Sequence, residues 1–384
     1  DPETAEIYTL SLHDALPIYA SGPDLDELGS RGWEETAPGL WRRERFLPRP
    51  ATLRSPVVSL ERWGNTGQVR DIDIVSFDLE TTGLSGGSGT VAFLAAFGRA
   101  CPEGFVVRQY FMDDYPAEPA FLEALGDEFS TAGLLLTYNG ASFDLPLYRT
   151  RCVMNGTCPV SPRASADLLH PSRRLWRKSL PDCSLSTIEL AVLGLERGSD
   201  LPGALVPEAY FRFLKEGWHP DLGLAMDHNV SDVYALSSLF FLIDEGLSGS
   251  PLAMADGVGL ASLVTRFDYA RATVLLEAAL AQGEGAAVKP LMRRYWKAGL
   301  RRERLELAPR LADDAQGLFL KSLYEEHVRE NPRRAYELIE EAVCRASEEA
   351  SRKGTAASAA LLARSRARAR RLERLLGERP APPA

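Results

Sequence analysis

Residues Ile74–Phe77 form a mostly apolar run that ends in Asp78, Leu79 and Glu80, followed by Thr81, Thr82 and Gly83. In a β-strand residues i and i+2 share a face. Asp78 and Glu80 are therefore predicted to project together from a strand end closed by a glycine turn. Adjacent carboxylates repel and raise each other's pKa unless a cation neutralises them. The economical reason to keep such a pair is a divalent metal ion.

The chain has 384 residues, enough for two domains or for one domain with a large extension. Apolar residues make up 45% and charged residues 25%, an ordinary globular balance, and no apolar run approaches the ~18 residues of a membrane span. A net charge of −9 argues against a generic nucleic-acid coat. It leaves a nucleic-acid enzyme open, because bound metals and local basic patches set the field at a cleft. The five cysteines are odd in number and form no C-x-x-C pair, so reduced thiols and a cytoplasmic location are expected. Residues 1–19 are set aside: Glu6–Ile18 resembles the translation of a sequencing-adapter oligonucleotide, and the chain lacks an initiator Met. A secretory signal is the rival reading, but it has no basic start and is interrupted by His13 and Asp14.

Residues 20–70 read as an irregular lead-in with one or two short strands. Strands are predicted over 72–79, 90–98 and 104–112, a helix over 117–130, and strands at 134–138 and near 165–169. Further helices are predicted over 142–154, 184–194, 207–216 and 228–246. This order gives an α/β domain over 71–248, with a mixed sheet flanked by helices. From 250 to 384 the strand signal disappears. Arg271–Leu280 is echoed by Arg334–Val343, and Ala279, Leu311 and Ala342 recur at close to the ~34-residue period of tetratricopeptide (TPR) helix pairs. An irregular helical bundle is the alternative. The arginine-rich stretch Leu361–Leu376 is read as a basic final helix, either a solvated cap or a phosphate-facing strip.

Three further elements accompany the acidic pair. Asp144 follows Tyr138, Asn139 and Phe143 where a strand runs into a helix, a position that by itself suits a helix-capping acid. Asp167 lies at another predicted strand end and reads as a fold acid ahead of a ligand. His228 and Asp232 are four apart in a long apolar helix, so they share a face.

D-x-E-x-T-G at 78–83, N-x3-F-D at 139–144 and a histidine shortly before Asp232 resemble the DEDD (DnaQ-like) 3′–5′ exonuclease superfamily, with its ribonuclease H-like fold. The closer resemblance is to the YprB-like ribonuclease H-like proteins of bacteria. It covers about 30–248, carried also by the Gly-rich Leu84–Thr90, by Arg173–Lys178 and by Leu201–Leu214. It implies that Asp78, Glu80, Asp144 and Asp232 bind two Mg²⁺ or Mn²⁺ ions, with His228 as the general base. It further implies substrate contacts from Thr81, Thr82, Gly83, Leu84, Asn139 and Phe143 to single-stranded DNA or RNA. The chain departs from the family in one respect. Its histidine stands four residues before the last acid, the spacing of the tyrosine-type branch, and Asp227 occupies the place five before.

The Gly-rich loop lacks G-K-[ST], so it is read as a lip beside a nucleic-acid terminus and not as a P-loop. Arg173, Arg174, Arg177 and Lys178 could track phosphates with Trp176 stacking on a base. Equally, Trp176 could be core and the cations a solvated face. The leading expectation is a metal-dependent exonuclease whose helical tail docks a protein partner or supports substrate. The alternative is a nucleic-acid-binding or scaffold protein that keeps the fold without turnover.

Overall fold

The computed structural model describes residues 26–83, 89–196, 198 and 201–377, which form two compact units, Asp1–Ala255 and Asp256–Ala384. The adapter-like segment 1–19, Leu84 and most of the Gly-rich loop lie outside the described residues.

Unit one is built on nine strands: β1 (Glu34–Ala37), β2 (Leu40–Leu47), β3 (Val57–Ser59), β4 (Gln68–Arg70), β5 (Ile74–Thr81), β6 (Ala92–Cys101), β7 (Gly104–Met112), β8 (Leu134–Thr137) and β9 (Ser165–Asp167). Seven make one mixed sheet in the order β1-β2-β7-β6-β5-β8-β9, and β3 and β4 pair separately. Pairing is antiparallel from β1 through to β5, while β5, β8 and β9 run parallel. The helices of the unit are α1 (Asp26–Ser30), α2 (Glu118–Thr131), α3 (Asp144–Met154), α4 (Leu169–Trp176), α5 (Leu185–Ile188), α6 (Val206–Glu216) and α7 (Pro220–Ser248). This is the expected α/β architecture, a helix-flanked mixed sheet followed by a helical region.

Two expectations change. The lead-in expected over 20–70, with one or two short strands, carries four strands among its described residues, and β2 is a full strand paired with β7 from Leu40↔Met112 to Leu47↔Phe105. The segment after it is anchored to α7, where Arg62 donates twice to the Asp244 carboxylate (2.8 and 2.7 Å) and Trp63 Nε1 once (2.9 Å). The last helix of the unit starts at Pro220, eight residues before the predicted start. His219 caps it by accepting from Asp221 N, and a proline at the first position suits a helix start.

The alternation of β5 sorts its side chains between two layers. Phe77 faces α2, with its ring 4.9 Å from Phe129, and Phe97 lies 4.9 Å to its side. Ser76 points the opposite way and donates to the Val233 carbonyl of α7 (2.7 Å). Small residues let α7 settle there: Ala96 packs with Val230 and Val233, and a Cβ at Gly98 would stand 2.6 Å from Ser76 Oγ.

Unit two holds α8 (Gly257–Val264), α9 (Tyr269–Ala281), α10 (Val288–Lys297), α11 (Arg301–Glu306), α12 (Ala315–His327), α13 (Pro332–Lys353) and α14 (Ala356–Gly377). The echoed segments bury matching positions, Ala272, Leu276 and Ala279 in α9 against Ala335, Ile339 and Ala342 in α13. Leu311 is not their equivalent. It lies in extended backbone after the Ala308–Arg310 turn, because Pro309 ends the helical run there. In α14, Arg368 is buried and donates to Ser322 Oγ and O (both 3.0 Å) and to Glu326 (2.5 Å), with Arg371 also on Glu326. Those two arginines fasten the last helix to α12.

Candidate active site at the carboxyl end of the parallel strands

Ligands of α/β sheets gather beyond the carboxyl ends of parallel strands, where the chain direction switches. β5 pairs with β8 only over Ile74–Ser76, so Asp78 and Glu80 extend past the end of β8. Both share the face of Ser76, toward α7. After β8 the chain turns sharply at Asn139, whose φ of 66° is left-handed, and enters α3 at Asp144. The turn leaves no room for a side chain at Gly140, where a Cβ would meet Asp144 Oδ2 at 2.7 Å. Asp167, at the end of β9, organises this same turn: its carboxylate accepts from the backbone N–H of Asn139 (2.9 Å), Ala141 (3.1 Å) and Leu169 (3.0 Å). It is the fold acid expected from the sequence.

From the opposite layer α7 supplies His228, Asn229 and Asp232. His228 Nε2 lies 3.3 Å from Asp232 Oδ2, and each side chain keeps about 15% of its surface exposed (16% and 15%). Asp227, the residue five before Asp232, turns outward to Arg45 (2.6 Å). One position along a helix is ~100° of rotation, so the four-residue spacing is the one that aims an imidazole at Asp232. His228 also borders a cavity of about 600 Å³ lined by Arg45, Asp227 and Tyr234.

Electrostatics ties the acids together. Burial, and then the charges of Asp232, Glu80 and Asp144, push the Asp78 carboxyl well above its ordinary range. The Asn229 amide opposes the shift by donating to Asp78 Oδ2 (2.8 Å). Asp144 is pushed up to about 7, by burial and then by Asp167. Asp78 thus feels three other carboxylates, contributed by its own strand, α3 and α7, in a poorly solvated place. All are hard oxygen donors of the kind Mg²⁺ and Mn²⁺ take. As the side chains stand, no group of three or more His, Cys, Asp or Glu among the described residues is arranged to hold a metal ion.

A buried polar chain reaches Asp78 along the α7-facing side of the sheet, from the β2 end. Arg43 donates to Gln109 Oε1 (2.7 Å), and Gln109 Nε2 donates to Asn229 Oδ1 (3.1 Å) and to the Met226 carbonyl (2.8 Å). Gln109 and Asn229 are fully buried. Burial, then Arg45, lowers the Arg43 guanidinium to about 10, and it lies 4.7 Å over the Trp33 ring. Sequence reasoning missed these three residues. The available signal was a glutamine inside the apolar strand Phe105–Met112 and an asparagine on the inward face of α7.

The expected substrate residues divide. Thr81 Oγ1 donates to the Gly83 carbonyl (2.9 Å) and Thr82 Oγ1 accepts from Val91 N (3.0 Å), so both stiffen the exit of β5. Phe143 is half exposed at the start of α3, and Arg173, Arg174 and Arg177 are exposed on and just after α4. Trp176 is a correction. It is wholly buried and its Nε1 donates to the Ala253 carbonyl (3.0 Å), so it has no face to offer a base. It lies on the inward face of α4 with Leu175 and Ser172.

Residues 75–243 match the family model of the RNase H superfamily. Unit one has an RNase H-like fold. Over 168 residues the chain is 39% identical to the uncharacterized protein YprB of Bacillus subtilis (strain 168), an alignment covering 43% of this chain and 40% of that protein. The chain therefore aligns with less than half of its relative's length. Among solved structures, a family B DNA polymerase from the hyperthermophilic archaeon Pyrobaculum calidifontis is similar at a TM-score of 0.37 and 15% identity. That match covers 61% of this chain and 34% of the polymerase, a likeness too slight to bear on the site. No helix among the described residues is long and apolar enough to cross a membrane, and all five cysteines are free thiols.

Proposed function

We propose that the RNase H-like domain is a metal-dependent 3′–5′ exonuclease of the DEDD type, acting on single-stranded DNA or RNA ends. The observation that carries this reading is the convergence of the Asp232, Glu80 and Asp144 charges on the Asp78 carboxyl. Uncompensated, such a cluster destabilises the fold; neutralised by cations, it becomes a binding site for phosphate oxygens. Its donor set fits two Mg²⁺ or Mn²⁺ ions, with the four acids as ligands. Bound ions would supply Lewis-acid stabilisation of the phosphoryl and leaving oxygens and ease deprotonation of water. His228, beside Asp232, is the group to take the proton of the attacking water. Asn229 holds one oxygen of Asp78 and leaves the other to turn toward the cleft. Asn139, Gly83 and Phe143, at the rim, are the substrate contacts, together with the exposed arginines of α4. The helical unit is read as a TPR-like support region that docks a protein partner, on the strength of the burial echo between α9 and α13.

A second reading, a nucleic-acid-binding protein without turnover, is favoured by one observation: the described side chains are not already gathered into a three-ligand group. Purified chain and Asp78→Ala, given single strands labelled at either end with Mn²⁺, discriminate between the two. Nucleotide release from the 3′ end that is abolished by EDTA and by the substitution is expected. Equal release by the two proteins would refute the metal role, and no release by either would favour the second reading.

A further inference from the structure

α10, α11 and the start of α12 enclose a cavity of about 400 Å³ in unit two, lined by Lys289, Arg293, Trp296, Arg304, Met292 and Leu320 among others. Three features set it apart on a chain of net charge −9. First, Lys289, Arg293 and Arg304 have no carboxylate partner among the described residues, although most of the described arginines of unit one are paired. The acid beside them, Asp314, is occupied in capping α12, where it accepts from Gly317 N (2.7 Å). Second, Trp296 is 61% exposed, an unusual setting for a large aromatic side chain. Third, Arg304 lies over the Trp296 ring with its Cζ 4.5 Å from the centroid, and burial followed by the charge of Arg364 lowers its pKa. Cations are thus crowded against an aromatic plate over an apolar floor of Met292 and Leu320.

Unpaired cations next to an exposed aromatic face match a ligand with an anionic end and a flat π-surface. The volume suits one small ligand unit. We propose that this cavity binds a nucleotide unit of single-stranded nucleic acid, with the phosphate on Lys289 and Arg293 and the base on Trp296. Only the charge and shape of unit two carry this assignment. It therefore holds whether or not the RNase H-like domain turns substrate over.

The test uses the full chain in EDTA, so that no hydrolysis intervenes, and oligothymidine carrying fluorescein and one 5-iodouracil. On irradiation the iodouracil is expected to crosslink to the tryptic peptide bearing Trp296. Trp296→Ala changes no charge and should weaken anisotropy-measured affinity by about ten-fold, the scale of one base–aromatic stack. Arg293→Glu should weaken it comparably and flatten its salt dependence by about one phosphate contact. Arg333→Glu, an exposed charge reversal on α13, serves as the control for net charge. AMP should displace the strand better than inorganic phosphate does. Unchanged affinity in both cavity variants, an effect of Arg333→Glu equal to that of Arg293→Glu, equal competition by phosphate and AMP, or displacement by polyglutamate better than by AMP would each overturn the assignment. A failed nuclease assay would not touch it, because binding alone is read.

Discussion

Asp144→Asn tests the electrostatic account of the site most directly. Burial and Asp167 carry the Asp144 carboxyl from an ordinary 3.8 to about 7. Between those values the folded protein holds a proton that the unfolded chain has released. A native state that binds more protons than the unfolded one loses stability as pH rises. At ~1.36 kcal/mol per pH unit, the penalty is on the order of 4 kcal/mol once the pH exceeds the folded value. Asparagine cannot ionise and escapes it. Urea unfolding in EDTA, followed by tryptophan fluorescence, reads chiefly unit one, where five of the six tryptophans lie. Parent and variant should differ little near pH 4. By pH 8 the variant should be more stable by several kcal/mol, and Mg²⁺ or Mn²⁺ should narrow the gap by stabilising the parent alone. Asp78 is raised too, so both proteins keep a residual downward slope. A stability difference that is the same at pH 4.5 and pH 8 would refute the claim that Asp144 is held protonated by its surroundings.

Asn229→Leu leaves the Gln109 amide with the Met226 carbonyl alone and removes the donor to the buried Asp78, which should cost about 1–3 kcal/mol in unfolding free energy. Metal-dependent nucleotide release should fall with it; full activity in a folded variant would show that the buried chain does not position Asp78. Trp176→Phe loses the bond to the Ala253 carbonyl and should cost about 1 kcal/mol in thermal or urea unfolding. Its affinity for labelled single strands should match the parent's, and a clear loss of binding would restore the stacking role that its burial denies.

The sequence by itself determined the parts of this protein that obey a local period. Strand alternation put Asp78 and Glu80 on one face, and the helical repeat put His228 beside Asp232. The strand order after residue 72 and the change to helices after 250 were equally legible. Each depends on residues within a turn or a strand of one another. Tertiary structure decided what depends on partners far along the chain. Arg43, Gln109 and Asn229 are separated by 66 and 120 residues, yet they form one line of hydrogen bonds to Asp78. Trp176 reads equally as a stacking residue among arginines or as core until the Ala253 carbonyl, 77 residues on, takes its N–H. β2 looks irregular in a segment of prolines and arginines, because its order comes from β7 and not from its own pattern. Burial and hydrogen-bond partnership are properties of the packed chain, and a sequence period reports them only where the partner lies within the same element.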